Sequence, residues 1–119
     1  MHGLNKSLDI EFLSDKSIIA LQFGSSQWAV QIHIDFDISI TVESMVQINE
    51  NNRFLVIEDF HEKSNELCKI IGLEIKYAQI SENGGLVLKL KNNVDVIIYN
   101  SNENYESFQL RVKDEIYVA

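Results

Sequence analysis

The sequence has no proline, only five glycines among 119 residues, and no Ser/Gly-rich linker. Its single cysteine, Cys68, excludes an intramolecular disulfide and is typical of a protein from a reducing compartment. A chain of this length corresponds to one domain, and it can bury a core without a disulfide or a metal. We therefore expect residues 1–119 to form a single domain, and no repeat is visible along the sequence.

Basic residues are scarce, because 10 Lys and Arg oppose 18 Asp and Glu, for a formal net charge of −8. This deficit argues against a nucleic-acid partner, since phosphate neutralisation by Lys and Arg supplies most of that affinity. It also argues against binding to an anionic membrane. No apolar run is long enough to span a bilayer, and residues 1–7 lack the basic and apolar regions of a signal peptide. We expect a cytoplasmic protein.

The strongest pattern in the chain is an alternation of apolar and polar residues from Trp28 to Val42. A period of two predicts strands with one buried and one solvated face. One strand of that length is too long for this chain, so we place a break at residues 35–37 and predict two antiparallel strands. A single, strongly bent strand is the alternative. The core is expected to contain Val30, Ile32, Ile34, Ile38, Ile40 and Val42.

Further strands are predicted between short turns rich in Asn and Gly, at residues 17–23, 53–57, 73–80, 86–91, 94–99, 108–112 and 116–118. Only residues 59–71 show helical periodicity, with Asp59 as candidate N-cap and Gly72 as left-handed C-cap. Short connections between strands cannot carry parallel crossovers. The prediction is an α+β domain, a mostly antiparallel curved sheet or partly open barrel of about seven to nine strands with one principal helix.

Residues with catalytic or metal-binding chemistry form no recognisable motif. The three histidines lack metal-ligand spacing, no serine lies in a nucleophile elbow, and Cys68 is expected to be a buried, inert thiol on the apolar side of the helix. Asp35 and Asp37 share a strand face with His33 if the alternation continues through them, an arrangement that acid–base catalysis or a divalent ion could use. Nothing supplies the rest of such a site. We therefore expect no enzyme, no metal and no cofactor, and keep catalysis by the two aspartates as a third hypothesis.

The distribution of charge is more informative, because residues 17–52 and 92–110 contain several carboxylates and no Lys or Arg. A nuclease toxin needs a basic surface to hold phosphates, and carboxylates on its inhibitor accelerate encounter and suppress wrong pairings. Exposed aromatic side chains beside the carboxylates would serve as anchors. The predicted partner-binding residues are Asp35, Asp37, Glu43, Tyr99, Glu103, Tyr105 and Glu106.

Four segments carry a resemblance to a known family: the strand pair at 28–43, residues 70–73, the turn and strand at 81–90, and Asn104–Leu110. Over roughly residues 20–118 the chain resembles a family of small, uncharacterised bacterial proteins. Residues 105–108 are similar to that family's Tyr-Glu-x-Trp segment, with Phe108 in place of Trp. The resemblance implies a fold and transfers no catalytic residue.

Size, acidity and an Asn/Ile/Lys-rich composition more loosely resemble the immunity proteins of bacterial toxin systems, including contact-dependent growth inhibition. The resemblance implies a small cytosolic antitoxin. Our first hypothesis is a non-enzymatic immunity protein that binds and neutralises a cognate basic toxin domain, a nuclease being the natural candidate. The alternative is a small-ligand-binding or sensor module with a pocket between helix and sheet.

Overall fold

The computed structural model describes residues 8–100 and 107–118. These residues form ten strands in two five-stranded sheets, and all neighbouring strands are antiparallel. The strands are β1 (Ile18–Phe23), β2 (Val30–Ile34), β3 (Ile38–Val42), β4 (Val46–Glu50), β5 (Arg53–Ile57), β6 (Ile75–Ile80), β7 (Leu86–Leu90), β8 (Val94–Ile98), β9 (Phe108–Val112) and β10 (Glu115–Val118). The first sheet has the order β1-β2-β3-β9-β10, and the second has the order β5-β4-β8-β7-β6.

The inner faces of the two sheets pack against each other in one shared core, and the alternation of apolar and polar residues predicts which side chains lie there. The six side chains predicted to be buried in β2 and β3 are all at most 5% exposed. The break at residues 35–37 is confirmed, because Ile34 pairs with Ile38 and Asp35 has a φ of +62°. Trp28 and Phe36 continue the alternation in sequence but lie outside the paired strands, so they are 57% and 94% exposed.

The predicted partly open barrel and the strand count are wrong in detail, although a mostly antiparallel sheet with one short helix agrees with the α+β class. Ten strands occupy the described residues instead of seven to nine, and they divide into two sheets. The sequence pattern did not predict β4, because its alternation of apolar and polar residues is weak. The outward residues of β4 are half-buried, and its inner face is only partly apolar. The links from β3 to β4 and from β8 to β9 pass from one sheet to the other.

The principal helix predicted over residues 59–71 is also much shorter. It consists of α1 (Ser64–Leu67), continued by a 3₁₀ turn at Cys68–Ile70. Asp59 does cap the start of the segment, since its Oδ1 accepts the N–H groups of His61 and Glu62 at 3.1 and 3.0 Å. Residues 60–63 nevertheless form turns rather than a regular helix.

Tertiary contacts override helical periodicity in this segment. The N–H of the fully buried Phe60 donates to the carbonyl oxygen of Gln27 at 2.7 Å, which fixes the start of this segment to the β1–β2 connection. Leu67 and Ile70 point into the core, while the prediction of a buried Cys68 is wrong, because the thiol is exposed. A 3₁₀ turn has three residues per turn, so it aligns positions 67 and 70 and rotates position 68 away from them.

The chain contains a structural repeat that the sequence does not reveal. Residues 11–57 and 68–118 follow the same order: a 3₁₀ turn, a residue with positive φ, three antiparallel strands, and a hairpin that crosses to the other sheet. Strands β1 to β5 therefore correspond to β6 to β10. Even the irregularity near the start of β1 recurs near the start of β6. Each half gives three strands to one sheet and two to the other.

Reciprocal backbone hydrogen bonds show that the two halves are related by an approximate two-fold axis. The N–H of Asp15 donates to the carbonyl oxygen of Ile75 at 2.8 Å, and the N–H of Gly72 donates to that of Ile18 at 2.7 Å. Asp15 and Gly72 are equivalent, and both have positive φ, +70° and +90°. The left-handed conformation predicted for Gly72 is thus confirmed, and it is a repeated feature of the fold.

Truncating a side chain in the shared core should destabilise the protein strongly. Ile40 is fully buried in β3, and Ile40→Ala should lower the free energy of unfolding by about 2–5 kcal/mol, through lost transfer energy and the cavity left behind. Phe36→Ala, at a position that is 94% exposed, is the control and should change it by less than about 0.5 kcal/mol. Urea denaturation measures both, and equal effects would contradict the assigned strand faces.

The turn between β6 and β7 should tolerate no side chain at Gly85. A Cβ atom there would lie 2.7 Å from the backbone oxygen of Ile98, so Gly85→Ala should destabilise the fold by about 1–3 kcal/mol. Gly24 has open space around its Cα and no positive φ, and Gly24→Ala should be nearly neutral. Thermal unfolding of the two variants tests the prediction, which fails if Gly85→Ala unfolds at the temperature of the unmodified protein.

Candidate functional site

The residues predicted to bind a partner lie at opposite ends of the two packed sheets. Asp35 and Asp37 flank the turn between β2 and β3, whereas Glu43 follows β3 at its other end. The length of β3, roughly 17 Å for five residues, separates them. Tyr99 lies at the same end as Glu43. The predictions for Glu103, Tyr105 and Glu106 fall outside the described residues.

The turn at residues 35–37, which we call the Phe36 tip, projects an aromatic ring into solvent. Asp35 adopts a left-handed conformation with φ +62°, and its Oδ1 accepts the N–H of Phe36 at 2.7 Å. Asp and Asn adopt this conformation more readily than most residues, because their short polar side chains bond to nearby backbone. The resulting turn leaves Phe36 94% exposed between two exposed carboxylates. The two aspartates do not share a strand face as expected, since the alternation ends at Ile34.

A second acidic turn lies directly beside the Phe36 tip. The N–H of Lys113 donates to the carbonyl oxygen of Asp37 at 2.8 Å, which joins the β9–β10 turn to the β2–β3 turn. Asp114 and Glu115 follow Lys113, and all three side chains are exposed. The two turns together present four carboxylates, from residues 35, 37, 114 and 115, against one ammonium group. None of these charged groups forms an ion pair with another described residue.

Tyr117 orients one of these carboxylates. Its hydroxyl group donates to Oε2 of Glu115 at 2.5 Å. This hydrogen bond raises the pKa of the Tyr117 phenol above its ordinary value, with smaller contributions from burial and from the charge of Glu115. The hydrogen bond therefore holds the Glu115 side chain beside Tyr117, while Phe36 and the two aspartates of the tip are exposed.

The opposite end of the molecule, which carries Trp28, offers a smaller surface. A shallow pocket of about 270 Å³ is lined by Trp28, Glu43, Ser44, Met45 and Glu58. The N–H of Glu43 donates to Ser107 O at 2.8 Å, so the described residues that flank segment 101–106 lie at this end too. This pocket brings one indole and two carboxylates together.

Tyr99 is less available than predicted. It is half-buried on the outer face of the second sheet, and its hydroxyl group donates to Gln47 Oε1 at 2.5 Å. Gln47 in turn donates to Asn49 Oδ1 at 2.7 Å. These hydrogen bonds hold the phenol ring against the sheet, so Tyr99 borders the Trp28 end rather than projecting from it.

The described residues do not assemble a metal centre. No group of three His, Cys, Asp or Glu side chains among residues 8–100 and 107–118 is arranged to hold a metal ion. His33 lies on the outer face of the first sheet, where its Nε2 is 3.1 Å from Gln22 Oε1, and no contact joins it to Asp35. On the second sheet Lys89 donates to Asp95 at 2.7 Å, which raises the pKa of the ammonium group and stabilises a local ion pair.

The sequence pattern predicts partner binding by the two aspartates of the Phe36 tip. It does not predict the exposure of the Phe36 ring or the position of the β9–β10 turn beside it. Phe36 fits the alternation as one more apolar residue, and this hides its exposure. Its position between two aspartates in a predicted turn is the signal that indicates an exposed ring. The β9–β10 turn contributes Asp114 and Glu115 because β9 pairs with β3, and this pairing joins segments far apart in the chain. Trp28 was missed for the same reason as Phe36.

No helix in the described part of the chain is long and apolar enough to cross a membrane. Comparison of the chain with protein-family models, with curated proteins and with solved structures finds no match, so the functional argument rests on the chemistry of its own surfaces.

Proposed function

We propose that this protein is a non-enzymatic immunity protein, which binds a basic toxin domain, a nuclease being the natural candidate, through the Phe36 tip and the adjoining β9–β10 turn. The observation that supports this proposal is Phe36 itself, an aromatic side chain that is 94% exposed between two carboxylates. Such exposure contributes nothing to folding. Aromatic anchors surrounded by polar residues are the usual centre of a protein–protein interface.

The charges around the ring fit a basic partner. Four carboxylates with one Lys leave an excess of negative charge on the two turns, and none of these groups is neutralised by a described neighbour. Carboxylates at the rim of an interface attract a basic surface over distances of about one Debye length, roughly 10 Å at 0.1 M salt. The ring is then buried in the partner as the carboxylates meet Lys or Arg side chains of the nuclease site.

A rigid scaffold keeps the tip ready for binding. Residues 35–37 connect two strands whose side chains are packed into the core, and the hydrogen bond from Lys113 to Asp37 fixes the tip to the neighbouring hairpin. A preformed anchor loses little conformational entropy on association. The toxin's active site would therefore be blocked by a protruding turn and not by a catalytic reaction of this protein.

Removing negative charge from the tip should slow association with the toxin domain. The triple variant Asp35→Asn, Asp37→Asn, Asp114→Asn should reduce the association rate by about tenfold or more at low salt, because steering is lost. The matched control Glu43→Gln, Glu58→Gln, Glu82→Gln removes the same charge at the opposite end and should leave the rate within about twofold. Stopped-flow mixing with a basic toxin domain that copurifies with this protein measures both rates, at low salt and at about 0.5 M.

The two triple variants also distinguish the two ends of the molecule. If the control variant loses affinity and the tip variant does not, the Trp28 end with Glu43 and Tyr99 binds the toxin, and the assignment of the tip is wrong. If neither variant changes binding or cell protection, the acidic-surface mechanism is wrong. Failure to recover any basic protein with the unmodified chain would contradict the immunity function itself.

Truncating the exposed ring should weaken the complex without affecting the fold. Phe36→Ala should raise the dissociation constant by about 30-fold or more, mainly through faster dissociation, as expected for an anchor of at least 2 kcal/mol. The comparison variant Phe54→Ala removes another highly exposed ring, 73% exposed on β5 at the edge of the other sheet, and should leave affinity unchanged. Titration calorimetry gives both constants. Equal affinities for Phe36→Ala and the unmodified protein would refute Phe36 as the anchor.

A further inference from the structure

A cavity of about 280 Å³ lies at the second sheet, between the short helical segment and strands β4 and β5. Its floor is apolar and consists of Ile48, Leu55, Ile70 and Val94. This is the position that the sequence analysis expected for the pocket of a sensor module. Because the chain is a structural repeat, the cavity can be compared with the equivalent place at the first sheet.

At the first sheet the equivalent positions hold different side chains. Tyr117 of β10 corresponds to Leu55 of β5, and it packs against the core with its hydroxyl group bonded to Glu115. Phe12 of the first 3₁₀ turn corresponds to Lys69. Two aromatic residues, Tyr117 and the 36% exposed Phe12, therefore stand at the positions that Leu55 and Lys69 hold beside the cavity.

The cavity leaves apolar surface in contact with water. Leu110 of β9 is 0% exposed, whereas Ile48, its equivalent in β4, is only half-buried. Leu55 is also half-buried. Exposing this surface sacrifices hydrophobic stabilisation of about 25 cal/mol per Å² that a bound apolar group would restore.

The rim of the cavity carries charges of both signs. Glu50 and Arg53 lie opposite each other at the β4–β5 turn, and Glu66 and Lys69 lie on the helical segment. No two of these four groups are joined by an ion pair of the described structure. The two basic residues at the cavity have no basic counterparts at the first sheet, because the equivalents of Arg53 and Lys69 are Glu115 and Phe12.

We propose that this cavity binds a small zwitterion with an apolar body, namely an α-amino acid with a large apolar side chain. The side chain lies on the floor, the carboxylate meets Arg53 and Lys69, and the ammonium group meets Glu50 and Glu66. A volume of 280 Å³ is just below the range of pockets for drug-sized molecules and suits a ligand of this size. The inference is separate from the proposed immunity function, since no residue of the Phe36 tip lines the cavity.

The proposal is tested by calorimetric titration of the unmodified protein with three probes. L-Phenylalanine has both charges, 3-phenylpropionate lacks the ammonium group, and phenethylamine lacks the carboxylate. L-Phenylalanine should bind at least tenfold more tightly than each of the other two. Absence of binding at millimolar concentration, or equal binding of all three probes, would overturn the proposal.

Two variants introduce at the cavity the residues found at the equivalent positions of the first sheet. Leu55→Tyr should fill the cavity, weaken the binding of L-phenylalanine at least tenfold and raise the unfolding temperature of the free protein. Arg53→Glu should remove recognition of the carboxylate while phenethylamine binding persists, and Arg111→Glu on the first sheet serves as its control. Undiminished binding of L-phenylalanine by Leu55→Tyr, or by Arg53→Glu should the first variant not fold, would place the ligand elsewhere and refute the site.

Discussion

Each sheet of this protein is completed by two strands from the other half of the chain, and the rest of the structure depends on this exchange. Strand β3 pairs with β9, and β8 pairs with β4, in equivalent registers. A half separated from its counterpart would leave the inner faces of its strands without a cover. Because burial of apolar surface is the main stabilising term in folding, we expect the two halves, which share one core, to fold only together.

The exchange also determines where the surface residues are placed. Every crossing between sheets occurs at the Trp28 end, where the N–H of Glu43 donates to Ser107 O and that of Tyr99 donates to Met45 O. The tight hairpin turns β2–β3, β4–β5, β7–β8 and β9–β10 collect at the other end. Short turns there hold their tips rigidly, and this is the property that an exposed anchor such as Phe36 needs.

The approximate two-fold symmetry supplies an internal control for function. Wherever the two halves differ at equivalent positions, the difference is not dictated by the backbone. The Phe36 tip corresponds to a turn with Asn92 and Asn93, both at positive φ, so only one half presents an aromatic ring. The cavity beside Leu55 corresponds to a place filled by Tyr117. These two asymmetries, one a projection and one a depression, are the basis of the two proposals.

The sequence by itself determined the elements whose signal is local. Period-two alternation fixed the buried face of β2 and β3, and Asn92-Asn93 predicted a hairpin turn with positive φ, because residue type acts there through neighbouring backbone. Charge distribution drew attention to the carboxylates of Asp35 and Asp37, which lie in one exposed turn. Tertiary structure decided the division into two sheets and the replacement of a helix over 59–71 by turns and one short helix. It also decided the exposure of Cys68 and the backbone hydrogen bond between Lys113 and Asp37. Those features depend on contacts between segments far apart in the chain, so no local pattern predicts them. The repeat is hidden in the sequence because its equivalent positions share burial and conformation rather than residue type.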